Sequence, residues 1–344
     1  MIKFSIDKNS RTPFYTQLVR QFEKACKNGE IVEGETLPSM NALASSLDIS
    51  RETAKKTYGI LRDHGLVEPR QGKGFFVKGI GSSKYLRVLI ISDVHSIYKQ
   101  ILLSAFQNKL STRGDCDVTV LLHNQDIHLL NYFLDRNLDN YDWFVVVPHF
   151  PLDDETQKEV LKQLRRIPNR KLILLDRWPE LLPGNYGAVY QDFERDAPEA
   201  LEPYVPELKN KGRLNVIALD SSLYKQLIEE GLRSFANRFG INIVFYTGIP
   251  EKLMAGDICL ILSSQHDNGL VALAKRIEEQ GLTIGRDVFI ISYNDIPLNE
   301  LVLNGLSSIS TDFEKMGETA AEMILTGRIR KVHNPFQLIR RNTF

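Results

Sequence analysis

The stretch Met40-Asn41-Ala42-Leu43-Ala44-Ser45-Ser46-Leu47-Asp48-Ile49-Ser50-Arg51-Glu52-Thr53-Ala54-Lys55-Lys56-Thr57-Tyr58-Gly59-Ile60-Leu61 decides how the chain begins. Leu43, Ala44 and Leu47 form the buried stripe of one short helix, and Ala54, Tyr58 and Leu61 form that of a second, running to His64. Asp48-Ile49 breaks the first pattern, Ser50 can cap the second by accepting a backbone N–H, and Gly65 ends it. Two helices only three or four residues apart must cross steeply, which predicts a helix-turn-helix. With the second stripe turned inward, Arg51, Glu52, Thr53, Lys55 and Lys56 remain on or near the exposed N-terminal half, the part that enters the major groove in such motifs. Arg can bond guanine O6 and N7 with both arms, Thr can touch a thymine methyl or a phosphate, and Lys can neutralise phosphates.

Two strand-like runs follow, Leu66-Val67-Glu68 and Phe75-Phe76-Val77, around Pro69-Arg70-Gln71-Gly72-Lys73-Gly74. Glycines let a backbone approach a neighbouring surface, and Arg70 and Lys73 flank the tip with charge, so the hairpin suits a wing at a groove edge. Before the helix pair, Leu18, Val19, Phe22 and Cys26 predict a helix over 16–28 that closes the core. Together these residues resemble the winged-helix domain of the GntR family of bacterial regulators. The resemblance covers roughly residues 3–78: Pro13-Phe14-Tyr15-Thr16-Gln17-Leu18, Leu37-Pro38-Ser39, Ser50-Arg51-Glu52-Thr53 and Arg70-Gln71-Gly72-Lys73-Gly74-Phe75-Phe76-Val77. It implies a homodimer on two-fold operator DNA, with contacts from Ser39, Arg51, Thr53, Arg70 and the Gly72 tip. Asn41 stands where the family usually has Arg, which shifts the expected base from guanine towards adenine. The expected DNA-binding set is Ser39, Asn41, Ser50, Arg51, Thr53, Lys55, Arg70, Gln71, Gly72 and Lys73.

The remaining composition fits a second, larger domain. The 344 residues carry 43 Lys/Arg and 43 Asp/Glu, but residues 1–80 hold 13 against 9 and the remainder 30 against 34, a mildly basic head on a mildly acidic body. Cys26, Cys116 and Cys259 are odd in number and far apart, which suits reduced thiols and neither a disulfide framework nor a structural zinc site. The seven His show no metal spacing, and no cofactor or metal is expected. The N-terminus has no apolar core for a secretion signal and no run of about eighteen apolar residues occurs, so a cytoplasmic protein without membrane contact is expected.

After the small polar segment Gly79-Ile80-Gly81-Ser82-Ser83-Lys84, short apolar runs alternate with helical stretches. Strands are predicted over 86–92, 117–122, 143–147, 171–175, 214–219, 242–246, 258–262 and 288–292, and helices over 98–111, 127–138, 154–165, 222–239, 269–280 and 313–325. This alternation predicts an α/β body of parallel sheets covered by helices. Its size favours two lobes with a cleft. The expected organisation is a winged helix-turn-helix over 1–78, a linker over 79–85, and an effector-binding and dimerisation domain over 86–344. In parallel sheets ligands bind at the carboxyl ends of strands. Those ends carry Asp93 and His95, Asp176-Arg177, Asp220-Ser221, Ser263 to Asp267, and Asn294-Asp295, with Tyr98 and Trp178 as aromatic covers. Carboxylates accept paired hydroxyls, Arg and Asn donate, and an aromatic ring covers an apolar face, which is the chemistry a neutral polyol requires.

These residues resemble the effector domain of the lactose-repressor and galactose-repressor family, which shares the type I periplasmic-binding-protein-like fold. The matching runs are Leu175-Asp176-Arg177, Gln265-His266-Asp267, Ile291-Ser292-Tyr293-Asn294-Asp295-Ile296-Pro297 and Leu306-Ser307-Ser308-Ile309-Ser310, followed by Met316-Gly317 and Ala320-Ala321. By the resemblance Asp295 and Arg177 are the best sugar contacts and Asp267 the next. His266 and Ile228 stand where the family usually has Asn and Arg. The expected effector-binding set is Asp93, His95, Tyr98, Arg177, Ser221, His266, Asp267, Asn294 and Asp295. A GntR-like head on such a body resembles the arabinose-repressor type of regulator, which implies a repressor of a carbohydrate-utilisation operon. A pentose or deoxyhexose such as arabinose or fucose would bind between the lobes, favour the closed cleft and release the DNA. The alternatives are a purine or phosphorylated effector and a carbohydrate-active enzyme. Neither Gly-x-Ser-x-Gly, His-Glu-x-x-His nor a phosphate loop occurs, and no catalytic residue is assigned.

Overall fold

The computed structural model describes residues 4–344 apart from 11, 28–29, 79–85, 95, 115, 219–222 and 263–267. Contacts divide the chain into two units, Met1–Leu86 and Arg87–Phe344. The expected linker lies outside the described residues.

In the first unit, α1 (Phe14–Lys27), α2 (Met40–Leu47) and α3 (Arg51–Asp63) precede the hairpin of β1 (Val67–Arg70) and β2 (Gly74–Val77). The first helix begins two residues before the expected Thr16, because the Pro13 carbonyl accepts the N–H groups of Thr16 and Gln17 and starts the ladder. Asp48 adopts a left-handed φ of 52° at the end of α2, a conformation its short polar side chain tolerates, and this turns the chain towards α3. The Ser50 hydroxyl then accepts the Thr53 N–H at 3.1 Å. Leu18, Phe22, Leu43, Ala54, Tyr58, Leu61, Val67 and Val77 meet in one core. The hairpin is antiparallel from Val67↔Val77 to Arg70↔Gly74. Gly72 and Gly74 have φ of +72° and +93°, values that strain any residue with a Cβ, which explains both glycines at the tip. The segment before α2 adds a third pass, with Leu37 N–H donating to Phe75 O and Val77 N–H to Glu35 O.

The second unit opens with β3 (Leu86–Ser92), α4 (Ile97–Ser111), β4 (Cys116–Leu122), α5 (Ile127–Asn137), β5 (Trp143–Val146), α6 (Asp154–Leu164), β6 (Leu172–Asp176) and β7 (Gly187–Tyr190). Next come α7 (Asp196–Leu201), α8 (Val205–Asn210), β8 (Leu214–Ile217), α9 (Lys225–Phe239), β9 (Ile243–Tyr246), β10 (Ile258–Ile261), α10 (Asn268–Glu279) and β11 (Phe289–Tyr293). The unit closes with β12 (Ser307–Thr311), α11 (Phe313–Thr326), β13 (Lys331–His333) and β14 (Phe336–Ile339). Two six-stranded sheets result, in the orders β13-β7-β6-β5-β3-β4 and β14-β12-β11-β10-β8-β9. The pairs β3–β5, β5–β6, β6–β7, β8–β10 and β10–β11 are parallel, while β14 lies antiparallel on β12. The predicted two-lobed parallel architecture is therefore present.

Pattern reading missed β7, β12, β13, β14, α7 and α8, for physical reasons. The run Ser307-Ser308-Ile309-Ser310-Thr311 looks polar, yet all five residues are buried in the sheet. The helices α7 and α8 have six residues each, too few to repeat a 3.6-residue period.

The chain passes between the lobes three times: from β7 to α7, from β12 to α11, and from β13 to β14. Asn334 ties the three together. Its N–H donates to Tyr190 O at 2.7 Å, and its amide nitrogen donates to Thr311 Oγ1 and Asp312 O, both at 2.8 Å. Beside it His333 Nε2 lies 2.6 Å from Asp196 Oδ1, and burial pushes the Asp196 carboxyl up to about 6. Helix α11 packs closely on α4, where a Cβ on Gly317 would fall 2.2 Å from the Leu102 carbonyl oxygen. Replacing Gly317 by Ala should therefore lower stability by about 1–3 kcal/mol, the usual cost of overpacking a rigid contact. An unchanged urea midpoint for Gly317→Ala would show that the two helices can separate freely.

Candidate functional site

The first candidate surface is the outer side of the head. Ser39, Asn41, Ser50, Arg51, Lys55, Arg70, Gln71, Gly72 and Lys73 are exposed and Thr53 is partly so. Ser39 and Ser50 cap α2 and α3, accepting the N–H groups of Ala42 and Thr53, each at 3.1 Å. An accepting hydroxyl still has its own hydrogen to donate, and it stands at a helix N-terminus where anions are favoured. Arg51 makes no ion pair or hydrogen bond among the described residues, so its fork is uncommitted. Arg70 is held back, its Nε donating to Glu68 at 2.9 Å and its guanidinium lying 4.4 Å from the Phe76 ring centre. Lys56, also on α3, rests over the Tyr15 ring at 3.9 Å.

The second candidate surface is the cleft between the lobes. Its N-terminal wall is built on a buried charge cluster. Lys99 projects from the first turn of α4 and places Nζ 2.6 Å from Asp176 Oδ2 and 3.3 Å from Asp93 Oδ1. His149 closes the ring, with Nδ1 3.1 Å from Asp93 Oδ2 and Nε2 3.4 Å from Asp176 Oδ2. The Gln191 amide donates to Asp176 Oδ1 at 2.5 Å. Burial works to raise both carboxyls, but Lys99 and His149 outweigh it and hold both below the usual carboxylate range. Burial likewise works to lower Lys99, and Asp176 and Asp93 overcome it and raise the ammonium above its ordinary value. All four groups are within a few per cent of complete burial.

Aromatic rings face this cluster. Phe193 and Tyr224 stack with centroids 4.1 Å apart, and His149 meets Tyr224 edge-on at 5.0 Å. Arg177 lies 5.4 Å from the Tyr224 ring centre and donates to Gln157 Oε1 at 3.0 Å. Tyr98 packs tilted against Phe313 with centroids 4.7 Å apart, and burial pushes its hydroxyl up to about 12. The polar atoms His149 Nε2, Gln191 Oε1, Tyr224 OH, Tyr293 OH and Asn294 Oδ1 are buried without a hydrogen-bond partner among the described residues.

Of the sequence-predicted effector residues, Asp93, Tyr98 and Arg177 come together on the N-terminal wall, and Asn294 stands at the end of β11. Asp295 is engaged elsewhere. Arg341 grips it through both arms at 2.8 and 2.9 Å, Ser308 Oγ donates at 2.5 Å and Asn299 Nδ2 at 3.1 Å. Both of its oxygens are engaged at the β11–β12–β14 edge, because a basic partner forty-six positions later folds onto it. His95, Ser221, His266 and Asp267 lie outside the described residues. Sequence reading overlooked Lys99, although Lys99, Leu102, Leu103, Phe106 and Leu110 share one buried face of α4, and a lysine in such a stripe signals a buried partner. It also overlooked His149, which follows β5 at a strand end where the rule already applied. Among the described residues no group of His, Cys, Asp or Glu could hold a metal, and no helix is long and apolar enough to cross a membrane.

Residues 14–77 match the model of bacterial regulatory proteins of the gntR family. The head is a GntR-family domain. Residues 261–343 match a periplasmic binding protein-like domain, so the GntR head is joined to a body of that kind. The chain is 33% identical over 72 residues to the HTH-type transcriptional repressor YtrA of Bacillus subtilis, a match covering 21% of this chain and 55% of YtrA. It is 36% identical over 73 residues to the transcriptional repressor NagR of the same organism, covering 21% of this chain and 30% of NagR. The chain thus spans about half or less of these curated relatives. A dimeric Lac repressor with a C-terminal deletion superposes with a TM-score of 0.57 at 16% identity, over 75% of this chain and 98% of that one, which is a likeness of fold.

Proposed function

We propose that the protein is a DNA-binding transcription repressor of the GntR/LacI type, acting in the cytoplasm as a homodimer and released from its operator by a small neutral sugar held between the lobes. The observation that carries this reading is the pairing, in one chain, of an exposed α3 face bearing Arg51, Thr53 and Lys55 with a cleft whose polar atoms are buried and unsatisfied. Gln191 Oε1 and Asn294 Oδ1 can only accept, and the two tyrosine hydroxyls can do either, so a ligand rich in hydroxyl donors satisfies them together. Lys99 is already neutralised by two carboxylates, so it offers a phosphate no uncommitted charge. The same pairing consumes Asp93 and Asp176, which supports binding over glycosidic acid–base catalysis. The Phe193–Tyr224 stack favours a second reading, a flat purine-like ligand.

Dimer formation has a natural surface. Ile97, Ile101 and Ala105 of α4 share a groove with Pro297, and Leu298 and Leu301 beyond it are 55% and 78% exposed. Val271 of α10 and Val302 line a further apolar groove. Solvent-facing side chains of this size mark association surfaces when they cluster. For induction the ligand must bind the DNA-incompetent state more tightly, by a coupling typically of about 1–3 kcal/mol.

A fluorescence-anisotropy titration against DNA from upstream of the protein's own gene, alone and with arabinose, fucose, xylose and galactose, tests the reading. Tight binding that one sugar weakens is expected. Binding that no sugar alters would remove the sugar switch and move the search to purines.

A further inference from the structure

Tyr224 belongs to the C-terminal lobe, immediately before α9, and its ring reaches across to His149 and Arg177 of the other lobe. It stacks on Phe193 at 4.1 Å with 20° between planes, meets the His149 edge at 5.0 Å and lies 5.4 Å from the Arg177 guanidinium. The residue is 4% exposed and its hydroxyl has no hydrogen-bond partner among the described residues. Gln191 Oε1, on the same wall, is likewise buried without a hydrogen-bond partner among the described residues. A buried hydroxyl left unpaired is costly, and a phenylalanine would pack there without that cost. The ring presents a flat apolar face to Phe193 and carries a hydroxyl that can donate or accept, the combination that one face and one edge of a sugar would offer.

We infer that Tyr224 is a built-in occupant of the interlobe cleft, which a ligand must displace before it can bind. This rests on the reading of the cleft as the ligand site and adds its regulation. The protein's own ring spans the two walls of the cleft, so a ligand first moves it aside and frees the polar atoms around it. That order reverses the sequence-based expectation, in which ligand closes an open cleft.

Hydrogen exchange of the full chain without sugar, followed at residues 147–150 and 176–178, tests the plug directly. Tyr224→Ala should exchange at least tenfold faster there than the unaltered protein, and Tyr224→Phe, which keeps the ring, should not. Unchanged exchange in Tyr224→Ala, or equal acceleration in Tyr224→Phe, overturns the inference. Calorimetry with L-arabinose, L-fucose, D-galactose and D-xylose separates it from the parent reading. A sugar bound at least fivefold tighter by Tyr224→Ala supports displacement. A sugar bound tenfold more weakly makes Tyr224 a ligand contact and sinks the plug while keeping the cleft. If no sugar binds either protein but exchange still accelerates, the plug stands and the sugar reading falls.

Discussion

Arg51→Ala is expected to abolish specific operator binding while leaving the body intact. A bidentate Arg–guanine contact is worth about 1–3 kcal/mol of discrimination, and a two-fold complex loses it twice, about 2–6 kcal/mol or roughly 30- to 20,000-fold in affinity. Because Arg51 is exposed and makes no ion pair among the described residues, its removal should leave the melting temperature where it was. Lys55→Ala makes the informative contrast. A lost phosphate contact weakens binding to all sequences alike and reduces the salt slope by about 1 for each contact removed. Operator affinity that survives Arg51→Ala within twofold would show that α3 is not the reading helix.

Lys99→Met should be the most damaging single change in the body. It removes the cation from between two buried carboxylates, and breaking a buried pair by deleting one partner typically costs about 3–5 kcal/mol. The pH dependence should invert as well. Asp93 and Asp176 titrate below their ordinary value in the folded protein, so the stability they contribute is present above pH 3.8 and is lost as pH falls through the depressed values. Without Lys99 the same burial raises both carboxyls, and the variant should gain stability as pH falls from 7 towards 5. Urea denaturation of both proteins across that range measures the slope. A variant whose stability still falls with acid would show that His149 alone keeps the carboxylates charged. The double variant Lys99→Met with Asp176→Asn should recover part of the loss, since it removes one of the stranded charges.

Much of the molecule follows from local chemistry that the sequence by itself determined. Ser39, Ser50 and Asp48 act within two or three residues of themselves, capping helices and turning the chain, so the boundaries of α2 and α3 could be read directly. The wing tip needs a positive φ, and only glycine at 72 and 74 supplies it without strain. Apolar runs such as Val88 to Ile91 and Ile258 to Ile261 are buried on both faces of their sheets and declare themselves as central strands.

Tertiary structure alone decided which polar residues meet. Asp93, His149 and Asp176 stand at or just after the ends of three different strands and Lys99 lies on a helix, so their common cluster depends on the sheet order β6-β5-β3, which no periodicity encodes. Asp295 and Arg177 looked alike as charged residues after strands, but β14 brings Arg341 onto the first, while the second is left facing Tyr224. Asn334 sits in a short stretch with no pattern of its own, and its role at the three crossings exists only because β7, β12 and β13 end side by side. Local propensity acts over one helical turn or one pleat; a cleft assembled from residues as far apart as Asp93 and Tyr293 is specified by packing.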